Sequence, residues 1–419
     1  MKKRVEVEDL RPGMYVVELD RPWPEFSPGE HGFAIMTSDQ LSKLRALCAY
    51  VYIETDLEVL ANASDTLHDP ASFSRLDRPE LELEMLKIFS APGLGHDQYP
   101  DTQSMEAEIR TIRLVHEQAV ELIDEVMRVV RLGRSIDVAA TKRIISDLAD
   151  SIIRNPDALV CFTAMRQTQT TTAEHGLRTC ILALALGRHL GMRKRQLGDL
   201  GIGTLLHDIG KTQVPQEILE CGHELSEEER CILEKHVADG VAILESTEGI
   251  SSSAIDVARQ HHERYDGNGY PTGLRENEIG QVGHIGAIVN YYDSLIHPRP
   301  GKKSVPSHTA LKIMYEHRGK LFHPGLVEEF IRAMGIYPIG SIVEMRTGEV
   351  GVVVSLNRAR RLKPRVVLVI SADQKYFETP AVVDLTRHRN SYGELLEIAG
   401  VAEGHAYGFD PLDYLPSVA

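Results

Sequence analysis

The sequence predicts a mainly α-helical protein: a helical bundle, preceded by a small α+β domain and followed by a short β-rich extension. Three observations carry that prediction. Apolar residues recur at helical spacing through the middle of the chain, short alternating runs dominate its first part, and alternating runs return near its end.

Residues 1–60 mix the alternating runs "VEVEDL", "MYVVEL" and "YVYIET" with the turn formers of "RPWPEFSPGEHG", which reads as a small amino-terminal α+β domain. Residues 61–103 are rich in Pro, Ser, Asp and Gly, as a linker is, with one short helix near "LELEMLKIF". From residue 104 to 335 the pattern is helical. "MEAEIRTIRLVHEQAVELIDEVMRVVRL" places Ile109, Ile112, Val115, Val120, Ile123, Val126 and Met127 at approximate helical spacing. Further helical patterns occupy "VAATKRIISDLADSIIR", "EHGLRTCILALALGRHLG", "RQLGDLGIGTLLHDIG", "SEEERCILEKHVADGVAILES", "SSAIDVARQHHE", "GHIGAIVNYYDSL" and "LVEEFIRAMG". Ser226 and Glu229 are spaced as a capping box. Residues 336–419 return to β-type runs, "GSIVEM", "VGVVVSL" and "RVVLVI", and end in a polar tail.

Composition narrows the function classes. A hydrophobic fraction of 42% and a charged fraction of 26% are those of a globular protein. The net charge of −15 argues against a protein that coats a nucleic acid polymer, though not against a local anion site. Cys48, Cys161, Cys180, Cys221 and Cys231 are odd in number and contain no CxxC pair, which favours a reducing compartment. The first residues acquire acids before any apolar run, and no stretch has the length of a membrane span, so a cytoplasmic location is expected.

The chemistry is concentrated in two segments. In "HDIGK", His207 and Asp208 are neighbours, so both can face one ion only at a helix end, or between two ions where the carboxylate bridges. Lys211, four residues after His207, lies on the same helical face and brings a cation beside those ligands. In "HHERYDGNGYP", His261 and His262 end a helix just before a glycine-rich turn. His175, His236 and Asp293 occupy neighbouring helices, and imidazole and carboxylate on successive helices of one bundle are what an internal metal site requires. Each histidine alone reads better as a hydrogen-bonded structural residue, and His31, His68, His189, His223 and His308 keep that reading. Gly267 and Gly269 permit positive φ and close backbone approach, and Pro271 stiffens the exit. Tyr270 reads as packing, Glu263 as a hydrogen-bond partner of a ligand, Asp266 and Asn268 as turn residues. Gly210, Lys211 and Thr212 mimic the end of a phosphate-binding loop, but Leu205 stands where its first glycine belongs.

"HDIGK" and "HHERYDGNGYP", with His175, His236 and Asp293 in order around them, resemble the HD-GYP domain, a branch of the HD metal-dependent phosphohydrolases. The first segment, especially "DLRPGMYVVELDRPW", resembles an uncharacterised domain often found upstream of bacterial HD-GYP domains. The resemblance implies an HD-type metallohydrolase bundle and an enzyme of bacterial second-messenger signalling that hydrolyses cyclic di-GMP to pGpG, GMP or both. It implies His175, His207, Asp208, His236, His261, His262 and Asp293 as ligands of two divalent ions, with Asp208 bridging and catalytic. Lys211 would contact a substrate phosphate, and so, by a looser match, would Arg299. A donor set of imidazole and carboxylate without thiolate suits iron, manganese or another first-row metal. Signalling proteins such as diguanylate cyclases, and a second copy of the chain, are the protein partners such an enzyme would have.

Two departures from the family pattern matter. Some members hold a third metal through a glutamate four residues before the first histidine; here that position is Thr171, so a dinuclear site is expected. After Asp293 the chain reads "SLIHPRPG" where the family runs along the lines of "ALTSDRPY", and His297, Pro298 and Gly301 are unusual there. Two competing functions follow: a cyclic-dinucleotide receptor without turnover, and a phosphodiesterase acting on cyclic GMP–AMP.

Overall fold

A computed structural model of the chain describes residues 2–7, 15–19, 33–34, 48, 50–54, 79–90, 93–94, 99–165, 171–223, 225–298, 304–358, 360–389, 393, 395–402 and 407–415. The chain divides into two compact units, Met1–Leu67 and His68–Ala419. In the first, β1 (Lys2–Glu6), β2 (Tyr15–Leu19), β3 (Phe33–Ala34) and β4 (Tyr50–Glu54) form an antiparallel sheet in the order β1-β4-β2-β3. The alternation seen in "YVYIET" is a pleat: Val51 is buried while Tyr50 and Tyr52 are half-buried. The helical part expected of this domain lies outside the described residues.

The second unit begins with α1 (Pro79–Ile88), the short helix expected near "LELEMLKIF". Helix α2 (Met105–Arg131) starts where the Ser104 side chain accepts the Ala107 amide, and it buries Ile109, Ile112, Ile123 and Val126 along one stripe. Val115, Val120 and Met127 flank that stripe half-buried. Helix α3 (Val138–Arg154) returns beside it, locked by a bidentate pair between Arg154 and the fully buried Glu108 at 2.7 and 2.9 Å. There follow α4 (Pro156–Met165), α5 (Thr172–His189), α6 (Lys194–Leu205), α7 (Gln216–Leu219), α8 (Glu227–Glu234), α9 (His236–Glu245) and α10 (Ser252–Gln260). The bundle closes with α11 (Gln281–Ile296), α12 (Ser307–Glu316) and α13 (Pro324–Met334). Helix α5 is buried on nearly every side from Gly176 to Arg188, so it is the central element of the bundle.

Three features differ from the sequence reading. The run "SEEERCILEKHVADGVAILES" is two helices, broken at Lys235, where the turn carrying Gly210 lies against the His236 carbonyl. Its capping box is present, with Ser226 and Glu229 each bonding the other's amide. Helix α4 was not legible because "PDALVCFTAM" is apolar on most sides and shows no stripe. The carboxy-terminal sheet has five antiparallel strands: β5 (Ile342–Met345), β6 (Val350–Ser355), β7 (Arg365–Ile370), β8 (Tyr376–Asp384) and β9 (Ile398–Ala402), in the order β8-β7-β6-β5-β9. The two edge strands escaped notice because an edge need not carry an apolar face: β8 is exposed from Tyr376 to Val382.

The sheet is tied to the bundle through polar contacts. The Leu356 amide donates to Asp157 at 3.0 Å, and Arg358 pairs with Asp157 and, at 3.1 Å, with Asp101. Asp101 also accepts from the buried Arg188 at 2.7 Å. Among the described residues no helix is long and apolar enough to cross a membrane.

Gly210 is a packing requirement of this arrangement. A Cβ there would sit 1.9 Å from the His236 carbonyl oxygen and 2.5 Å from the Gly240 nitrogen, which is backbone on both counts. Gly210→Ala is therefore expected to destabilise the protein by about 1–3 kcal/mol, read as a lowered melting temperature in metal-free protein.

Candidate metal centre

Four helix ends converge on Asp208. Helix α5 starts at Thr171, whose hydroxyl accepts the Glu174 amide, and this puts His175 in the first turn. Helix α6 ends at Leu205, so His207 and Asp208 stand in the turn beyond it. His236 opens α9, directly after the break from α8. His261 caps α10, and His262 follows it.

The histidines at helix ends share one device. The Nδ1–H groups of His207, His236 and His261 donate to the carbonyls of Thr204, Leu233 and Ala258, at 2.7, 2.6 and 2.8 Å. Each acceptor belongs to the last turn of a helix, where carbonyls lack intrahelical partners. A carbonyl can only accept, so each ring carries its proton on Nδ1 and presents a bare Nε2. All these Nε2 atoms face one carboxylate. Asp208 Oδ2 lies 3.6 Å from His175 Nε2 and 3.4 Å from His207 Nε2. Asp208 Oδ1 lies 3.3 Å from His236 Nε2 and 3.7 Å from His261 Nε2.

Two ligand groups result: His175, His207 and Asp208, and Asp208, His236, His261 and His262. They share Asp208. Ligand atoms held about 2.1 Å from one ion stand about 3.0–3.4 Å apart, close to the spacings observed. The chemistry of the donors fits a cation as well: His236 Nε2 and His261 Nε2, both bare, are 3.4 Å apart, and His207 Nε2, His262 Nδ1 and Asp208 Oδ1 are buried without a hydrogen-bond partner among the described residues. No cysteine belongs to either group.

Charge and burial set the protonation states. Burial alone would raise the Asp208 carboxyl, but the Lys211 ammonium at 2.5 Å, with the neighbouring imidazoles, holds it well below the usual carboxylate range. Burial pushes His207 and His262 well below the usual histidine value and His261 down to about 4. The expectation that Lys211 follows His207 on one helical face is not met. The chain after Asp208 tightens into a 3₁₀ turn, Ile209–Gln213, which brings Lys211 back over Asp208 itself.

Asp293 stands apart from both groups. Its carboxylate lies behind His175, accepting from Nδ1 at 2.7 Å, from Arg178 Nε and Nη2 at 2.8 and 3.0 Å, and from His297 Nδ1 at 3.0 Å. Burial would raise this carboxyl; the His175 and His297 hydrogen bonds and the Arg178 charge hold it well down. Arg178, His297 and Asn290, whose Oδ1 is 2.9 Å from His175 Nε2, were not identified as site residues from sequence. Helical spacing could have found them: Arg178 is three residues after His175, and Asn290 and His297 lie one turn before and after Asp293.

The glycine-rich loop is built around its neighbours. Glu263, buried, accepts the amides of Thr272 and Leu274 at 2.8 and 2.9 Å. Gly267 has φ +79°, and a Cβ on Gly269 would lie 2.5 Å from the His262 carbonyl. The Tyr270 ring stacks on His262 at 4.4 Å, and Pro271 follows it through a cis peptide. The Asn268 amide donates to the Asp266 side chain at 3.0 Å, an Asx turn. Arg299, His31 and His68 lie outside the described residues; His189 pairs with Glu329 and His308 donates to the Ile336 carbonyl.

Comparison with known proteins agrees with this geometry. Residues 158–326 match the model of the HD domain, residues 2–141 a domain of unknown function (DUF3391), and residues 342–392 a KOW domain associated with HD domain. A cyclic di-GMP phosphodiesterase of Pseudomonas aeruginosa is 31% identical over 99% of this chain and 95% of its own length. A cyclic di-GMP phosphodiesterase of Thermotoga maritima is 35% identical over 38% of this chain and 44% of its own. A 3'3'-cGAMP-specific phosphodiesterase of Vibrio cholerae is 31% identical over 39% of this chain and 32% of its own. The chain belongs to the HD-GYP branch of the HD metal-dependent phosphohydrolases.

The buried imidazoles make acid stability a signature of the metal-free site. An unfolded histidine takes up its proton near 6.5, whereas folded His261 does so only near 4. Between those values the unfolded chain binds more protons, so stability falls as pH falls through that window. His261 alone contributes a loss on the order of 3 kcal/mol, and His207 and His262 act in the same direction. Denaturant titrations of metal-free protein at stepped pH should show the decline, and His261→Gln should flatten it.

Proposed function

We propose that this chain is a metal-dependent phosphodiesterase that opens cyclic di-GMP to pGpG, and to GMP where the second bond is also cut. One observation carries the reading: a single buried carboxylate, Asp208, turns one oxygen to His175 and His207 and the other to His236 and His261. That geometry supports two ions sharing Asp208, and the imidazole and carboxylate donors suit iron or manganese. Bound there, a pair of divalent cations supplies a water acidic enough to attack at neutral pH and positive charge for the phosphoryl oxygens.

The residues of the chain do the rest. Hydrolysis forms a bond from a water oxygen to phosphorus and breaks the bond from phosphorus to O3′, with one proton of the water ending on O3′. The rings of His207, His236 and His261, fixed through Nδ1, need no rotation before binding a cation. Lys211, with a side chain 15% exposed, sets a fixed ammonium beside Asp208 where a phosphoryl oxygen can meet it. A chain of net charge −15 can thus take an anionic substrate, because the positive charge is concentrated at one buried point.

Metal-loaded protein is expected to convert cyclic di-GMP to pGpG, resolved by ion-pair chromatography. Asp208→Ala should lower turnover at least about a thousandfold, since it removes the ligand common to both groups. Lys211→Ala should cost about a hundredfold in kcat/KM with metal content intact. Unchanged substrate at full metal occupancy would instead identify a receptor without turnover. A faster reaction with cyclic GMP–AMP, run in parallel, would reassign the substrate.

A further inference from the structure

Four arginines are buried among the described residues, and three of them meet a carboxylate: Arg178 pairs with Asp293, Arg188 with Asp101 and Arg332 with Glu329. Arg264, 3% exposed, forms no ion pair among the described residues. Its Nη1 reaches only backbone, the Glu263 and His261 carbonyls at 3.2 and 3.5 Å, and its Nε is buried without a hydrogen-bond partner among them. The acids whose charge it feels are engaged elsewhere: Glu263 holds the Thr272 and Leu274 amides, and Asp266 holds the Asn268 amide and side chain. Burial pulls the group down from its ordinary value, but a guanidinium keeps its proton even so. Phe322, with its ring centre 5.6 Å from the guanidinium carbon, supplies an aromatic face and no negative charge. Tyr291 packs on the same Phe322, ring centres 5.0 Å apart, and its hydroxyl too is buried without a hydrogen-bond partner among the described residues. Burial raises this phenol well above its ordinary value, so it stays protonated and is a donor, within reach of the Arg264 charge. Two donors beside one ring, one of them charged, therefore lack an acceptor. A water would take both hydrogen bonds and leave the charge unanswered.

We propose that Arg264 Nε and the Tyr291 hydroxyl bind a small monovalent anion, chloride or one of its size, beside Phe322 and beneath the glycine-rich loop. Both unpartnered atoms are shut off from solvent, which suits a single compact ion. A carboxylate or phosphate brings several oxygens, each needing a donor of its own. The anion has a mechanical consequence. The Tyr265 and Asp266 amides already donate to the Leu321 and Lys320 carbonyls at 3.0 and 2.8 Å, so an ion held between Arg264 and Tyr291 fastens the start of the loop to the chain entering Phe322 and to α11. It also has an electrostatic one: the Arg264 charge bears on His262, two residues before it, and a bound anion offsets that field. The inference stands whether or not the chain hydrolyses cyclic di-GMP, because it concerns none of the groups that would meet the substrate.

The test is unfolding of the full chain as chloride replaces gluconate at constant ionic strength, in metal-loaded protein and in metal-free protein, where no halide can ligate a bound cation. Stability should rise saturably with chloride: at ten times its dissociation constant, the ratio of folded to unfolded protein should be about elevenfold higher. Bromide should act in the same way, and crystals grown in bromide should show an anomalous peak in contact with Arg264 Nε and Tyr291 Oη. Tyr291→Phe, which removes only the hydroxyl, should weaken the chloride response about tenfold in concentration. Arg264→Met, which keeps the apolar stem, should abolish it. Melting curves show whether Arg264→Met folds, and where it does not, Tyr291→Phe carries the test. The proposal is overturned if stability is indifferent to chloride in the metal-free protein, if Tyr291→Phe responds as wild type does, if a folded Arg264→Met keeps the response, or if a water occupies the position in bromide-grown crystals. A bromide peak without a saturable response in solution marks an adventitious ion only, and overturns it as well.

Discussion

A buried carboxylate shared by two sets of imidazoles is the constraint on which the rest of the bundle depends. Asp208 is 3% exposed, and an isolated charge at such depth would cost several kcal/mol. Lys211 offsets part of that cost, but only on Oδ2; Oδ1 has no hydrogen-bond partner among the described residues. Burial holds His207 and His261 well below the usual histidine value, and the Nδ1 protons of His207, His236 and His261 point away from Asp208 to backbone carbonyls. What the site lacks is positive charge between oxygen and nitrogen, and that is the physical sense in which this fold is a metal-binding one.

The helix ends explain how so many ligands can be held without strain. The last carbonyls of α6, α8 and α10 need donors, and His207, His236 and His261 supply them three residues on. One hydrogen bond thus engages a helix-end carbonyl, sets the tautomer and aims Nε2 inward. The break at Lys235 belongs to the same logic: it sets His236 at the start of a new helix, with its Nδ1 on the Leu233 carbonyl that the Lys235 amide also meets. Gly210 lets the "HDIGK" turn approach the α9 backbone closely enough for the two groups to share Asp208.

Much of this was legible in the sequence, and the part that was not has a common cause. Residue types that only ligands need, histidines paired with acids at helix ends, announce themselves in "HDIGK" and "HHERYDGNGYP", and six of the seven proposed ligands fall in the two groups. Asp293 was read as a seventh because a carboxylate in the right helix is chemically suitable; spacing alone could not say which edge of His175 it meets. Asn290 and Arg178 were passed over because amide and guanidinium side chains are common in helices and signal nothing individually. The strands β8 and β9 and the helix α4 were hidden by weak periodicity, the 3₁₀ turn at Lys211 by its shortness. Sequence carries the identity of ligands well and the direction of side chains poorly.

The glycine-rich loop follows from the one imidazole that the helix-end device does not reach. His262 comes a residue too late to anchor on the carbonyl that His261 uses, and its buried Nδ1 has no hydrogen-bond partner among the described residues, the opposite nitrogen from the bare one on its neighbours. Its direction must be fixed from outside the helix. Tyr270 does this by stacking on the ring at 4.4 Å while its amide donates to the His262 carbonyl at 3.2 Å. For that ring to double back, the intervening chain must turn tightly and pass within contact of the His262–Arg264 backbone, which no side chain at Gly269 would allow. Glu263 then fastens the far limb through the Thr272 and Leu274 amides. The crowding of ligand-type residues beside a rigid loop is therefore one structure: the loop is the anchor of the last histidine.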